Sequence, residues 1–310
     1  MVTDRSGKPV SGLEEQDFSV LDNKHPQKIT SFEAVRASNA AETPPTEVIL
    51  LMDNVNTRIA NVAYERQQVE KFLDRDNGGL SHPVMLAFLS DTGLKMSHVS
   101  QDGKALVAEL NANQASLRVI NRDAGLYGAG ERLEISLNAV EQLARAESSK
   151  PGRKLLVWIS PGWPILTGPE IQLSTKDQQG IFRDIVAMSD VLRNADMTIS
   201  DVDPLGTDDS GEGRTFYWKQ FVHGVKNANS AQFGDLAVQV LAVQSGGRVL
   251  NASNDIVNEI ATAVSDLDSY YVLKIQAGSA KSAEQFHALE VKIDKPGLEA
   301  HTRTGYYAQP

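Results

Sequence analysis

The stretch EVILLMD (Glu47–Asp53), followed at once by NVNT (Asn54–Thr57), decides how this chain is read. Its apolar run is continuous rather than alternating, and it ends on an acid. A strand covered by helices on both faces has this pattern, because neither face meets water. Two more runs of the same kind follow, PVMLAFLSD (Pro83–Asp91) and RKLLVWIS (Arg153–Ser160), and DMTISDVD (Asp196–Asp203) reads as a fourth strand. Between them lie segments with helical spacing. VAYERQQVEKFLDR places Val62, Val69, Phe72 and Leu73 on one side, and ERLEISLNAVEQLARAE does the same with Leu133, Leu137, Val140 and Leu143. DGKALVAELNAN reads as a helix capped by Asp102, QQGIFRDIVAMSDVLRNA as another, and DIVNEIATAVSDL as the last. FGDLAVQVLAVQSGGRVL reads as helix, Gly-Gly stop and short strand, and GLKMSHVS as an antiparallel edge strand. Strands alternating with helices predict an α/β fold, a doubly wound and mostly parallel sheet.

Outward from this centre the periodicity changes. DFSVLDN alternates, with Phe18 and Val20 inward, and QKITSFEAV alternates through Ile29, Phe32 and Val35. The tail returns to β with SYYVLKIQA, FHALEVKID and LEAHTRTGYYA. The expected organisation is an N-terminal β segment (1–36), a linker (37–46), the α/β domain (47–268) and a C-terminal β segment (269–310). The two β segments are expected to pair into one small flanking sandwich.

Composition narrows the function. The 310 residues carry 30 Lys and Arg against 40 Asp and Glu, a formal charge of −10, with no basic stripe. That argues against nucleic acid and against anionic membranes as partners. No apolar run is long enough to cross a bilayer, so no membrane insertion is expected. Met1-Val2-Thr3-Asp4 leads straight into polar, strand-like sequence, so no signal peptide is expected within this chain. The absence of cysteine excludes disulfides, thiolate metal sites and Cys nucleophiles.

In open α/β sheets ligands bind outside the carboxyl ends of the strands, where strand order reverses. With GLKMSHVS as an edge strand, Asp53 and Ser160 end neighbouring central strands. The long polar loops 161–176 and 203–230 leave from the same edge, with loop 119–130 nearby. The binding residues expected there are Asp53, Asn56, Thr57, Ser160, Trp163, Asp203, Tyr217 and Trp218. The cluster TFYWKQF (Thr215–Phe221) reads either as a short helix burying two rings or as an exposed aromatic contact.

The order of elements, with VILLMD, KLLVWIS, MTISDVDPLG and QSGGRVL, resembles the von Willebrand factor A domain. With the β flanks, the whole chain resembles a bacterial von Willebrand A-related family common in acidobacteria. The resemblance implies a protein-binding or adhesion module acting outside the cytoplasm, as a secreted, periplasmic or cell-surface protein with a protein partner. It also implies a metal-ion-dependent adhesion site: Asp-x-Ser-x-Ser after the first strand, a later Thr, and an Asp after the fourth strand. Asp53 and Thr57 match, but Val55 and Ser160 replace oxygen-rich positions, and NRDAGLYGAGERLE offers no threonine. The expectation is a degenerate site with weak or no Mg²⁺ binding, Asp53 and Thr57 being the ligands that remain, and no required cofactor.

Other chemistry is weaker. DVDPLGTDDSGE puts Asp201, Asp203, Gly206 and Glu212 at calcium-loop positions, but Leu205 and Pro204 break the pattern. Gly125, Gly128 and Gly130 read as a flexible helix entry rather than a phosphate cradle. Two readings stay open beside the binding module. One is a hydrolase using Ser160 and His223, with Asp203 as the third member. The other is a structural interaction domain whose sandwich makes the contacts.

Overall fold

A computed structural model describes residues 1–36, 46–113, 125–167, 171–204, 217–251, 253–276 and 284–308. Strands β1 (Val2–Asp4), β2 (Phe18–Asp22), β3 (His25–Gln27) and β4 (Ile29–Arg36) precede β5 (Glu47–Asp53). Helix α1 (Ile59–Leu73) leads to β6 (Gly79–Ser90), β7 (Gly93–Met96), β8 (Ser100–Asp102) and α2 (Gly103–Ala112). Then come α3 (Gly125–Glu147), β9 (Lys154–Ile159), α4 (Thr175–Asn194), β10 (Met197–Val202), α5 (Val238–Ser245), β11 (Val249–Leu250) and α6 (Ile256–Ser265). The C-terminal strands are β12 (Ser269–Ile275), β13 (Phe286–Ile293), β14 (Leu298–Ala300) and β15 (Gly305–Tyr307).

The central seven-stranded sheet has the order β11-β10-β9-β5-β6-β7, with β8 also pairing β6. Strands β11, β10, β9, β5 and β6 are mutually parallel, and β7 and β8 run antiparallel to β6. The buried runs explain the layering. On one face Ile49, Leu51, Leu156, Trp158 and Ile199 pack on α3, α4 and α5. On the other, Val48, Leu50, Met52, Leu155 and Val157 pack on α1, α2 and α6. Mostly parallel order with helices on both faces agrees with the expected α/β architecture, and GLKMSHVS does form the antiparallel edge.

The flanks intermix. β1 pairs β14, β12 pairs β4, and β15-β13-β2-β3 form a four-stranded antiparallel sheet. Phe18 from β2, Phe32 from β4, Tyr271 and Leu273 from β12 and Val291 from β13 share one apolar cluster, so N- and C-terminal strands face each other across a common core. The turn after β2 has Asn23 and Lys24 at positive φ, as a two-residue hairpin turn requires.

Local readings shift in several places. Gly128 and Gly130 lie inside α3, which starts at Gly125, so these glycines belong to a helix rather than a loop before it. Helix α4 begins at Thr175, where Ser174 and Asp177 form a reciprocal cap. The short β8 was hidden by its polar composition, although Asp102 caps α2 as its sequence indicates. The tail LEAHTRTGYYA divides into two strands on different sheets. Linker residues 37–45, loop residues 119–124 and residues 205–216, with Gly206 and Glu212, lie outside the described residues. No helix among the described residues is long and apolar enough to cross a membrane.

Candidate functional site

The chain adds β6 on one side of β5 and then crosses to place β9 on the other, so strand order reverses between β5 and β9. Register fixes what meets there. Ile159 aligns with Val202 of β10 and with Met52 of β5. One residue further on, Asp203, Ser160 and Asp53 form a row at the carboxyl edge. The Ser160 hydroxyl donates to Asp53 Oδ2 at 3.0 Å.

Asp53 is a fully buried hub. Its Oδ1 accepts from the backbone N–H groups of Val55 and Asn56, both at 2.9 Å. Its Oδ2 accepts from Asn56 Nδ2 at 2.7 Å and from Trp158 Nε1 at 3.0 Å, in addition to Ser160. Burial pushes the Asp53 carboxyl up, and the bonds from Asn56, Ser160 and Trp158 oppose that shift. Asn56 Nδ2 also reaches Ser136 Oγ on α3 at 2.9 Å, tying the turn to that helix. Ser160 Oγ accepts from the Gly162 N–H at 2.8 Å and from Trp158 Nε1 at 3.2 Å.

The mouth of the crevice is filled by the chain itself. Trp163 is buried, packs edge-on against Trp158 with centroids 5.2 Å apart, and donates its indole N–H to the Leu236 carbonyl at 3.0 Å. Gly162 has φ +76°, and a Cβ there would lie 2.6 Å from Val238 Cγ1, so only glycine lets loop 160–164 lie against α5. Asp201 is buried beneath this loop, with Oδ2 accepting from Gln239 Nε2 at 3.0 Å. Burial first, then the charge of Asp203, hold the Asp201 carboxyl well above the ordinary range.

These positions revise the expected contact set. Asp53, Asn56, Thr57 and Ser160 come together as expected, but all four are buried and form an internal network rather than a surface. Trp163 and Trp218 are core residues, Trp218 packing with Phe221, Ala237 and Val240. TFYWKQF thus does bury two rings, in a 3-10 turn at Trp218–Phe221, while Tyr217 stays exposed. Asp203 is half-buried at the row's end. Sequence reasoning missed Trp158 and Gln239. Trp158 was within reach, since residues two apart on a strand share a face and Ser160 is its partner.

The residues present do not fit a divalent cation. Mg²⁺ needs several free oxygen lone pairs in near-octahedral array. Here five hydrogen bonds already end on the Asp53 carboxylate, and Ser160 turns its proton toward it. Val55, where an adhesion site has serine, is buried in the apolar cluster that holds Trp163 and Leu133. Asn56 Oδ1 is left as a buried acceptor without a partner, one neutral oxygen. The indole N–H and the amide of Asn56 supply the positive poles that a metal supplies elsewhere. Among the described residues no group of three or more His, Asp or Glu is placed to hold a metal. As for a calcium loop, Asp201 sits inside β10, bound to Gln239.

Ser160 and His223 are not joined. Ser160 is wholly buried, with its bonds to Asp53, Trp158 and Gly162. His223 is exposed in a separate cleft lined by Tyr217, Gln220, Lys226 and Asp235. A nucleophile needs its base within hydrogen-bond reach.

No known family profile matches the chain, and no curated protein matches it by sequence. Among solved structures it is similar to the pilus adhesin SpaC of Lactobacillus rhamnosus GG in its open conformation. The TM-score is 0.43 and the identity 12%, over 82% of this chain and 34% of the adhesin. The chain thus spans about a third of the adhesin's length, and a likeness this distant bears on neither family nor function.

Proposed function

We propose that the chain is a metal-independent protein-binding module of the von Willebrand factor A type, acting outside the cytoplasm, and that it meets its partner on the rim around the carboxyl edge. The observation that supports this reading is where large apolar side chains stay exposed. Among the described residues, Ile59, Tyr64, Leu126, Tyr127 and Tyr217 belong to segments that leave or return to that edge, and the other two exposed large apolar side chains, Met96 and Val99, lie along the β7–β8 side of the sheet. Ile59 opens α1 just after β5, and Tyr64 donates its hydroxyl to the Asn254 carbonyl in the loop after β11. Ser136 of α3 bonds to Asn56, so the N-terminal turns of α3 run on past that point for roughly 16 Å along the helix axis. They carry Leu126 and Tyr127, the latter 91% exposed. Exposed apolar groups rimmed by polar ones mark interaction surfaces, and Tyr is favoured among their energetic anchors.

The buried hydroxyl of Ser160 and the filled crevice favour binding over hydrolysis. A photo-crosslinking residue at position 127 or 217, in cells producing the protein, tests the rim. The expected result is one shared adduct from both positions, formed equally in EDTA, and none from position 149, just past the far end of α3. Adducts confined to sandwich positions such as 292, or dependent on a divalent cation, refute the reading.

A further inference from the structure

A cavity of about 270 Å³ lies where the flanking sandwich meets the α/β body. Its lining has two parts. Phe18, Val20, Tyr271, Leu273, Leu289 and Val291 form an apolar part, and they come from β2, β12 and β13. Arg153, Asp196, Thr198, His301 and Arg303 form a polar part. Small sandwiches normally pack to crystal-like density, and an apolar space offers water no partners.

The polar part favours an anion. Arg153 and Arg303 share the exposed Asp196 of the lining, and Asp266, which also acts on Arg153, is already gripped by Arg248. Burial pushes His301 down, so it adds no charge at neutral pH. Arg303 is pinned, its Nη2 donating to the Leu192 and Met197 carbonyls, each at 3.2 Å. Arg153 is held differently. Its guanidinium lies over the Tyr270 ring, 4.9 Å from the centroid, and among the described residues its hydrogen bond is to Thr198 Oγ1 at 3.5 Å. Arginine has five N–H donors in a planar fork that matches a carboxylate. Arg153 therefore has donors to spare beside the apolar part of the lining.

We propose that this cavity binds a single-chain acyl carboxylate, its head on Arg153 and its chain between the sheets of the sandwich. The site is separate from the rim and does not depend on how the rim is used. Calorimetric titration of the full chain with acetate, octanoate, decanoate and dodecanoate below their micelle concentrations tests it. Decanol and decyltrimethylammonium serve as head-group controls. Affinity is expected to rise about three- to fourfold per added methylene until the cavity is full, with no binding of acetate or of the cationic amphiphile. Arg153→Gln is expected to weaken decanoate at least tenfold and leave decanol unchanged. Val291→Trp, which fills the chamber, is expected to abolish both. Affinity that ignores chain length, equal binding of the cation, or decanoate binding untouched by a folded Arg153→Gln variant would each overturn the proposal. The chain-length and head-group series uses the wild-type protein, so it decides the matter even where a variant fails to fold.

Discussion

Replacing Asp53 with alanine separates a carboxylate that organises the fold from one kept for a metal. The side chain accepts five hydrogen bonds, and all five donors are buried. Asp53→Ala strands the Ser160 hydroxyl and two backbone N–H groups, leaves the Asn56 amide only its bond to Ser136, and leaves the Trp158 indole only its longer bond to Ser160 Oγ. Each unsatisfied buried donor costs about 1–3 kcal/mol, and such costs do not add when the groups share one network. Removing one partner of a buried charged network costs about 3–5 kcal/mol, and about 4 kcal/mol is expected here. Asp53→Asn keeps one oxygen for the backbone donors but turns an NH₂ toward Trp158 and Ser160, so about 2 kcal/mol is expected. The assay is urea unfolding followed by tryptophan fluorescence, in EDTA and in millimolar Mg²⁺. A carboxylate held ready for an absent cation behaves in the opposite way: its removal relieves a buried charge, and Mg²⁺ stabilises only the wild type. An Asp53→Ala midpoint within about 1 kcal/mol of wild type, or a Mg²⁺-dependent gain confined to wild type, would refute the structural role.

Burial raises Glu259 from 4.5 to about 7, so the folded chain holds that proton more tightly than the unfolded chain. Its contribution is fully present below pH 4.5 and is lost as pH rises toward 7. Glu259→Gln is therefore expected to be neutral at pH 4 and to stabilise by about 1 kcal/mol at pH 8, once solvent screening is allowed for; equal effects at both pH values would contradict this. Arg248 grips the buried Asp266 with bonds of 2.8 and 2.5 Å and reaches the Gly7 carbonyl at 3.0 Å. Arg248→Leu leaves that carboxylate unpaired, and thermal or urea unfolding should register a loss of about 3 kcal/mol. Gly162→Ala puts a methyl against Val238 at positive φ, and a loss of about 2 kcal/mol in the same assay is expected. A loss under 0.5 kcal/mol would mean that loop 160–164 is not held against α5 as described.

The sequence by itself determined the α/β centre. EVILLMD and KLLVWIS each hold an unbroken apolar run, 48–52 and 155–159, and a strand is built that way only when helices cover both faces, so layer architecture is legible from periodicity. It also placed Asp53 beside Ser160, because parallel strands on either side of a reversal end at the same edge. The alternation in DFSVLDN and the capping aspartate of α2 were legible for the same reason: they depend on neighbours two to four residues away. Burial of the site depended on partners far along the chain. Trp158 comes to Asp53 across 105 residues of sequence, and Trp163 to Leu236 across 73. Whether a polar cluster at a strand end faces solvent or is covered depends on the path of the next loop, and that path depends on a glycine fitting against α5. No local pattern encodes such a contact. Likewise the cavity between sandwich and body exists only because β2, β12 and β13, from opposite ends of the chain, do not fully close on one another. Only tertiary packing decides whether inward apolar residues meet each other or leave a space.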